Sequence, residues 1–158
     1  MKRKLSHIDK SGQPAMVDVS GKSVTKRTAK AQAVVHLGKE IMAQLEGEEI
    51  ISKKGPVFQT AIIAGVMAAK QTASLIPFCH PVGLNDCQIN IKVKGKRAII
   101  EASAAVEAKT GVEMEALTAA SVAALTVYDM CKAMSHKITI EEIRLLEKTG
   151  GKRDFRRR

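Results

Sequence analysis

The sequence predicts an α+β domain, an antiparallel sheet with two long helices packed on one face. Three observations predict it. Two long stretches, 53–77 (a loop, then a helix) and 110–134 (a helix), carry helix start and stop signals. Two segments alternate polar and apolar residues on either side of Gly95-Lys96, the pattern of a hairpin. One further alternating segment precedes the first long helix and another follows the second.

The elements follow in order. Residues 1–14 are polar, end in Ser11-Gly12-Gln13-Pro14, and read as a loose leader. MVDVS (16–20) is a short alternating stretch. From Arg27 to Leu37, Ala29, Ala31, Ala33, Val35 and Leu37 recur at period two. That is a strand, although alanine makes it a weak one. A short helix is expected over 39–46. In 53–77, Pro56 suits a first helical turn, where its missing N–H costs nothing, and Pro77 closes the segment. QINIKVK (88–94) and 97–107 form the hairpin arms. Thr110 opens the second long helix, to about Met134, with Thr110 and Glu113 spaced as a T-x-x-E capping box that would occupy Glu113. A last strand is expected over 138–146, and TGGKRDFRRR reads as a flexible basic tail. The order strand, helix, strand, strand, helix, strand is the split βαβ, or ferredoxin-like βαββαβ, arrangement. The expected organisation is a leader (1–14), one ferredoxin-like domain (15–148) and a tail (149–158).

Ala116 to Tyr128 holds no charged residue and much alanine. A helix apolar all round is buried on more than one side. That is more burial than a 158-residue monomer is expected to supply, so a homo-oligomer is predicted.

A chain of 158 residues fits one domain with a core that needs no staples. Its three cysteines, an odd number without repeated spacing, argue against a disulfide framework and for a reducing, cytoplasmic setting. No apolar run approaches the roughly 20 residues of a membrane span. The opening MKRKLSHIDK is basic without an apolar segment after it, unlike a signal peptide. A net charge of +10 attracts polyanions. Aromatic residues make up only 3% of the chain, with no Trp, so stacking platforms for single-stranded nucleic acid are scarce. The charge points to phosphates without saying whose.

LIPFCHP (75–81) sets Cys79 beside His80 between two prolines. The pair could bind metal, act as nucleophile and base, or wall a ligand. Zinc asks for about four ligands, and no CxxC or HxxxH spacing accompanies the pair. Adjacent side chains of an extended segment point opposite ways, which disfavours a nucleophile–base pair. Cys79 reads as a small wall residue. His80 is a donor to a phosphate or polar ligand, or an ordinary loop histidine. Lys53, Lys54 and Gly55 before a helix start form an anion site, or a solvated loop. Asp129 and Lys132 share a helix face. They are a proton-transfer pair, or a surface ion pair worth under about 1 kcal/mol. Lys109, Thr110 and Gly111 make a second anion-friendly corner, beside which Glu115 is free to bond a purine-like edge. Lys148, Gly150, Gly151 and Lys152 could fold over phosphates, or belong to a disordered tail.

Taken together, KTGVEMEALTAASVAALTVYDMCKA (109–133), LIPFCHP, MVDVS and KGPVF (54–58) resemble the MoaC family, from about Ile8 to Phe155. The family's members are cyclic pyranopterin monophosphate synthases of molybdenum cofactor biosynthesis. The resemblance implies a ferredoxin-like subunit in a hexamer, a trimer of dimers. It implies a substrate from a radical-SAM partner, (8S)-3′,8-cyclo-7,8-dihydroguanosine 5′-triphosphate, rearranged to cyclic pyranopterin monophosphate with release of pyrophosphate. The residues it makes catalytic are Lys54, Asp129 and Lys132. The lysine at 54 would act as acid or base with its pKa lowered by nearby cations. The substrate-binding residues it implies are Phe78, Cys79, His80, Met114 and Glu115, with Arg27, Lys70 and Lys148 as phosphate ligands. No cofactor or metal site is required, although magnesium could accompany the triphosphate. Phe78 stands where the family also uses an aliphatic residue, and Arg156-Arg157-Arg158 lies outside the pattern. The rival readings are a basic, nucleic-acid-binding oligomer and a structural scaffold.

Overall fold

Small side chains decide how the layers of this protein meet. The computed structural model describes residues 8–9 and 11–158. In chain order the elements are β1 (Thr25–His36), α1 (Gly38–Met42), β2 (Leu45–Glu46), β3 (Glu49–Ser52), β4 (Gly55–Pro56), α2 (Val57–Lys70) and α3 (Thr72–Leu75). There follow β5 (Asp86–Lys94), β6 (Arg97–Ala108), α4 (Glu113–Cys131), β7 (Thr139–Thr149) and β8 (Phe155–Arg156). The main sheet runs β5-β6-β1-β7-β8, with every neighbouring pair antiparallel.

Alternate residues of a strand share a face. In β1 that puts Ala29, Ala31, Ala33 and Val35 on one side, all buried. Ala98, Ile100, Ala102, Ala104 and Val106 of β6 continue the same floor. Onto it α4 lays Ala116, Ala119, Ala120, Ala123, Ala124 and Val127, also buried. Alanine facing alanine lets helix and sheet approach closely. Larger buried side chains, among them Leu37, Ile41, Ile50, Val57 and Ile100, fill the rest, each contributing about 1.5–3 kcal/mol by leaving water.

Helix α2 packs against α4 and over β5, and Gly65 is where they touch. A Cβ there would come within 2.8 Å of the Ala119 carbonyl and 3.3 Å of the Ala123 methyl, and would strike the Ile89 side chain. Alanine normally gains up to about 1 kcal/mol over glycine inside a helix. Here overpacking reverses the sign. Gly65→Ala is expected to destabilise by about 1–3 kcal/mol, seen as a melting temperature several degrees lower. Gly83→Ala, which meets nothing within 4 Å, should leave it unchanged.

Several expectations from the sequence need correction. The helix expected over 39–46 stops at Met42, and its last residues belong to a small β2-β3-β4 sheet. Strands of two to four residues are too short to show a period. Pro56 is the extended residue before α2, not part of its first turn. The Thr110 capping box is absent, because α4 starts at Glu113 after Val112, with no side-chain cap. The tail is not all loose: β7 runs to Thr149, and Phe155–Arg156 pairs back on Lys148 and Glu147. Most of the expected leader lies outside the described residues.

The apolar run of α4 is also explained differently. Packed between the sheet and α2, the helix buries nine residues within one chain. Its composition alone therefore does not require a second copy. What one chain leaves uncovered on the helical layer is Ile63, Met67, Leu75 and Leu125, each more than half exposed. No helix of the described residues is long and apolar enough to cross a membrane.

Candidate active site

One half of the site gathers at the C-terminal end of α4. Lys54 sits in the β3–β4 turn, which Ser52 shapes by accepting the Lys54 N–H at 3.0 Å and donating to the Gly55 carbonyl at 3.1 Å. From that turn Lys54 Nζ reaches Asp129 Oδ2 at 2.6 Å and the Asp129 carbonyl at 3.3 Å. Lys132 Nζ, one helical turn on, holds Asp129 Oδ1 at 2.8 Å. A single carboxylate thus bridges two ammonium groups, all three about half exposed. The bond from Lys132, then that from Lys54, pulls the Asp129 carboxyl down to about 2. The clamp is therefore present at neutral pH and lost only as pH falls from the unfolded value near 3.8 through about 2. Asp129 in turn raises the pKa of Lys132, so the acid between the amines stabilises an ammonium.

The lysine-rich helix start does not form an anion site. Glu49 fills the N-terminus of α2, accepting from the backbone N–H groups of Phe58 at 2.8 Å and Gln59 at 3.0 Å. A carboxylate already satisfies the donors an incoming phosphate would use, which leaves Lys54 to turn toward Asp129.

The other half lies at the N-terminal end of α4, around a cavity of about 700 Å³. Phe78, Cys79 and His80 form one wall, Met114 and Glu115 another, and Val17–Val19 a third. His80 Nε2 donates to the Val17 carbonyl at 2.7 Å. That bond engages Nε2 and leaves Nδ1 for a ligand. Burial, then the nearby Glu115, pushes the Cys79 thiol up, which disfavours the thiolate a nucleophile needs and fits a wall residue.

Glu115 is only 4% exposed. Burial, with a smaller push from Glu113, raises its carboxyl pKa. The folded state therefore holds this proton more tightly than the unfolded chain, and stability falls as pH rises through and above 4.5. Glu115→Gln is expected to raise the melting temperature of the ligand-free protein at pH 7 and to change it little at pH 4. A thermal scan at the two pH values checks this; equal shifts at both would contradict it.

A smaller cavity of about 200 Å³ adjoins the first, sharing Lys22, Gly111, Glu113 and Lys152 with it. Four cations line it: Lys22, Arg27, Lys148 and Lys152. Glu113, not engaged in a cap, pairs with Lys148 at 2.8 Å, and Arg27 Nε donates to the Ala108 carbonyl at 3.0 Å. This is a concentrated positive pocket beside a larger one of mixed polar and apolar lining.

The structure brings Lys54, Asp129 and Lys132 together. Separately it brings together Phe78, Cys79, His80, Met114 and Glu115, with Arg27 and Lys148 alongside. Lys70 joins neither group; it ends α2, exposed, and acts on Cys87. Sequence reasoning missed Asp18 and Lys22, which line the larger cavity. Asp18 lies within MVDVS and Lys22 two residues after it, and that stretch was the available signal. From Met114 to Asp129 the rise of 1.5 Å per residue separates the two groups by about 22 Å along a rigid helix.

Comparison with known proteins completes the picture. The family pattern described as "MoaC family" matches residues 16–151. A protein of Xanthomonas oryzae pv. oryzae named "Cyclic pyranopterin monophosphate synthase" is 51% identical over 153 residues, covering 96% of this chain and 93% of that protein. A Synechocystis protein named "Molybdenum cofactor biosynthesis bifunctional protein" is 50% identical, covering 94% of this chain but 44% of the longer relative. A Dictyostelium discoideum "Molybdenum cofactor biosynthesis protein 1" is 46% identical, over 93% of this chain and 26% of its own length.

Proposed function

The chain belongs to the MoaC family, and from that premise we propose that it carries out the cyclic pyranopterin monophosphate synthase reaction. It is a lyase of molybdenum cofactor biosynthesis that rearranges (8S)-3′,8-cyclo-7,8-dihydroguanosine 5′-triphosphate to cyclic pyranopterin monophosphate and releases pyrophosphate. The observation that carries the reading is the carboxylate of Asp129 held between Lys54 and Lys132 at 2.6 and 2.8 Å. A carboxylate and two amines within one hydrogen-bonded group can move protons as rings open and reclose. Closing the cyclic phosphate requires a sugar hydroxyl to attack the α-phosphorus, and its bond to pyrophosphate to break. Fixed cations stabilise the charge that collects on the leaving group.

In this reading Phe78, Cys79, His80, Met114 and Glu115 hold the purine-derived end of the substrate, with Glu115 facing a nitrogen-rich edge. Arg27, Lys148, Lys22 and Lys152 hold the triphosphate. Lys70 reaches the phosphates from the α2 end of a second copy. The chain's own cations, with magnesium arriving on the triphosphate, supply the positive charge, and no resident cofactor is assigned.

One substrate cannot bridge about 22 Å of helix between the two groups. We therefore assign the working enzyme to a homo-oligomer, a hexamer built from dimers. The Lys54 group of one copy meets the cavity of another across the helical layer. Ile63, Met67, Leu75 and Leu125, exposed in one chain, are the apolar surface available for that contact. The strand order β5-β6-β1-β7 supports a ferredoxin-like subunit, and the three unpaired cysteines support a cytoplasmic setting. A radical-SAM enzyme would deliver the substrate.

The test is direct. The full chain is incubated with the cyclised dihydro-GTP, and pterin product and pyrophosphate are measured. Both are expected from the wild type and neither from Lys54→Ala. Absence of product from the wild type would overturn the assignment.

A further inference from the structure

Residues 148–158 hold six cationic side chains, Lys148, Lys152, Arg153, Arg156, Arg157 and Arg158, and one acid, Asp154. An acid set among cations weakens their pull on a polyanion. Among the described residues Asp154 forms no ion pair that would explain its place there. Its Oδ1 instead accepts the backbone N–H of Gly150 at 3.0 Å. We infer that Asp154 is a positioning residue of the phosphate pocket, closing the 150–154 loop so that Lys152 stands where the two cavities meet. Resting on the reading above, in which that pocket holds a triphosphate, Asp154 acts on triphosphate binding without touching it.

The loop is a hairpin turn with seated ends. Strand β7 stops at Thr149 and β8 starts at Phe155, which pairs with Lys148. Beyond that pair the Arg157 N–H donates to the Leu146 carbonyl at 2.8 Å. On the other side the backbone lies against β1. Thr25 Oγ1 donates to the Gly150 carbonyl at 2.8 Å. A Cβ at Gly150 would strike the Lys26 carbonyl and come within 3.2 Å of Arg27 Cα, and the φ of +81° there suits glycine. Asp154 ties one seated end to the other. Among the described residues no hydrogen bond holds 151–153, so the tie at the base sets where the tip can go.

The cation at the tip depends on that tie. Lys148 is held by Glu113 at 2.8 Å, and Arg27 by the Ala108 carbonyl at 3.0 Å. Among the described residues Lys152 has no such partner, yet it lines both cavities. A side chain without a partner is placed by its backbone. Lys152 therefore marks the passage from the purine-derived end of the substrate to its phosphates. An opened loop would leave Lys148 and Arg27 in place and disperse Lys152. Binding then falls by the fraction of time the loop is closed.

Charge alone and the tie predict opposite signs. Removing an acid beside a polyanion site tightens binding, whereas removing the tie weakens it. Calorimetric titration of the full chain with inorganic tripolyphosphate separates the two. Asp154→Ala should weaken binding about three- to tenfold, the net worth of one hydrogen bond. Asp154→Asn, whose Oδ1 can still accept from Gly150, should bind at least as tightly as wild type. In a Lys152→Ala chain, Asp154→Ala should add no further weakening. With the cyclised dihydro-GTP, Asp154→Ala should raise KM by a like factor and change kcat little. Unchanged or tighter binding by Asp154→Ala, equal losses in the Ala and Asn variants, or a further loss beside Lys152→Ala would overturn the role of Asp154 and leave the assigned reaction standing. A wild type that binds tripolyphosphate but makes no product would overturn the reaction, while the titrations still decide Asp154. A wild type that does not bind tripolyphosphate would overturn the phosphate pocket and Asp154 with it.

Discussion

Asp129→Asn is expected to lower turnover of the cyclised dihydro-GTP by about 10²- to 10⁴-fold, the range for disrupting general acid–base groups, here the two amines that the carboxylate positions. Its melting temperature should stay close to wild type. The two parts of the prediction have one cause. Asp129 is half exposed and its pairs with Lys54 and Lys132 are solvated, so they contribute little to stability. Among the described residues the same carboxylate is the only side chain that touches both ammonium ions. Asparagine keeps the shape and removes the charge, so the amines lose their common anchor. Its effect should also be flat in pH across the neutral range, because the native carboxyl is ionised down to about 2. Steady-state assays beside thermal scans decide it. A variant within threefold of wild-type turnover would remove Asp129 from the chemistry, and one that fails to fold would show that the cluster is structural.

Mixing two inactive variants should restore activity. Asp129→Asn lacks the group at the C-terminal end of α4, and Glu115→Ala lacks one at the N-terminal end. If each site draws one end from each of two copies, a mixed pair has one intact site and one doubly damaged site. Random pairing makes about half the dimers mixed, so co-expression should return about a quarter of wild-type activity. The measurement is specific activity of the co-purified mixture against each parent. A mixture no more active than its parents would mean that a single chain holds the whole site, which about 22 Å of intervening helix opposes.

The sequence displayed most of the main sheet and both long helices because their signals are local. The alternation from Asp86 to Val106 and the uncharged run from Ala116 to Tyr128 depend only on neighbours, and both elements lie where they were expected. The small β2-β3-β4 sheet was hidden because two-residue strands carry no period. The T-x-x-E spacing misled because Glu113 finds Lys148, 35 residues away, and not the backbone of Thr110.

Residue types and spacing by themselves determined which side chains could carry chemistry here: a lysine before a helix, an acid and a lysine one turn apart, a cysteine and histidine held between prolines. Only the tertiary structure decided what each one meets. Lys54 reaches Asp129 across 75 residues of chain, Glu49 takes the helix end that a phosphate would have used, and the Val17 carbonyl accepts the hydrogen bond of His80 Nε2. Local pattern reports the face on which a side chain lies. The partner on that face is set by how whole elements stack, and a rigid helix fixes how far apart its two ends must work.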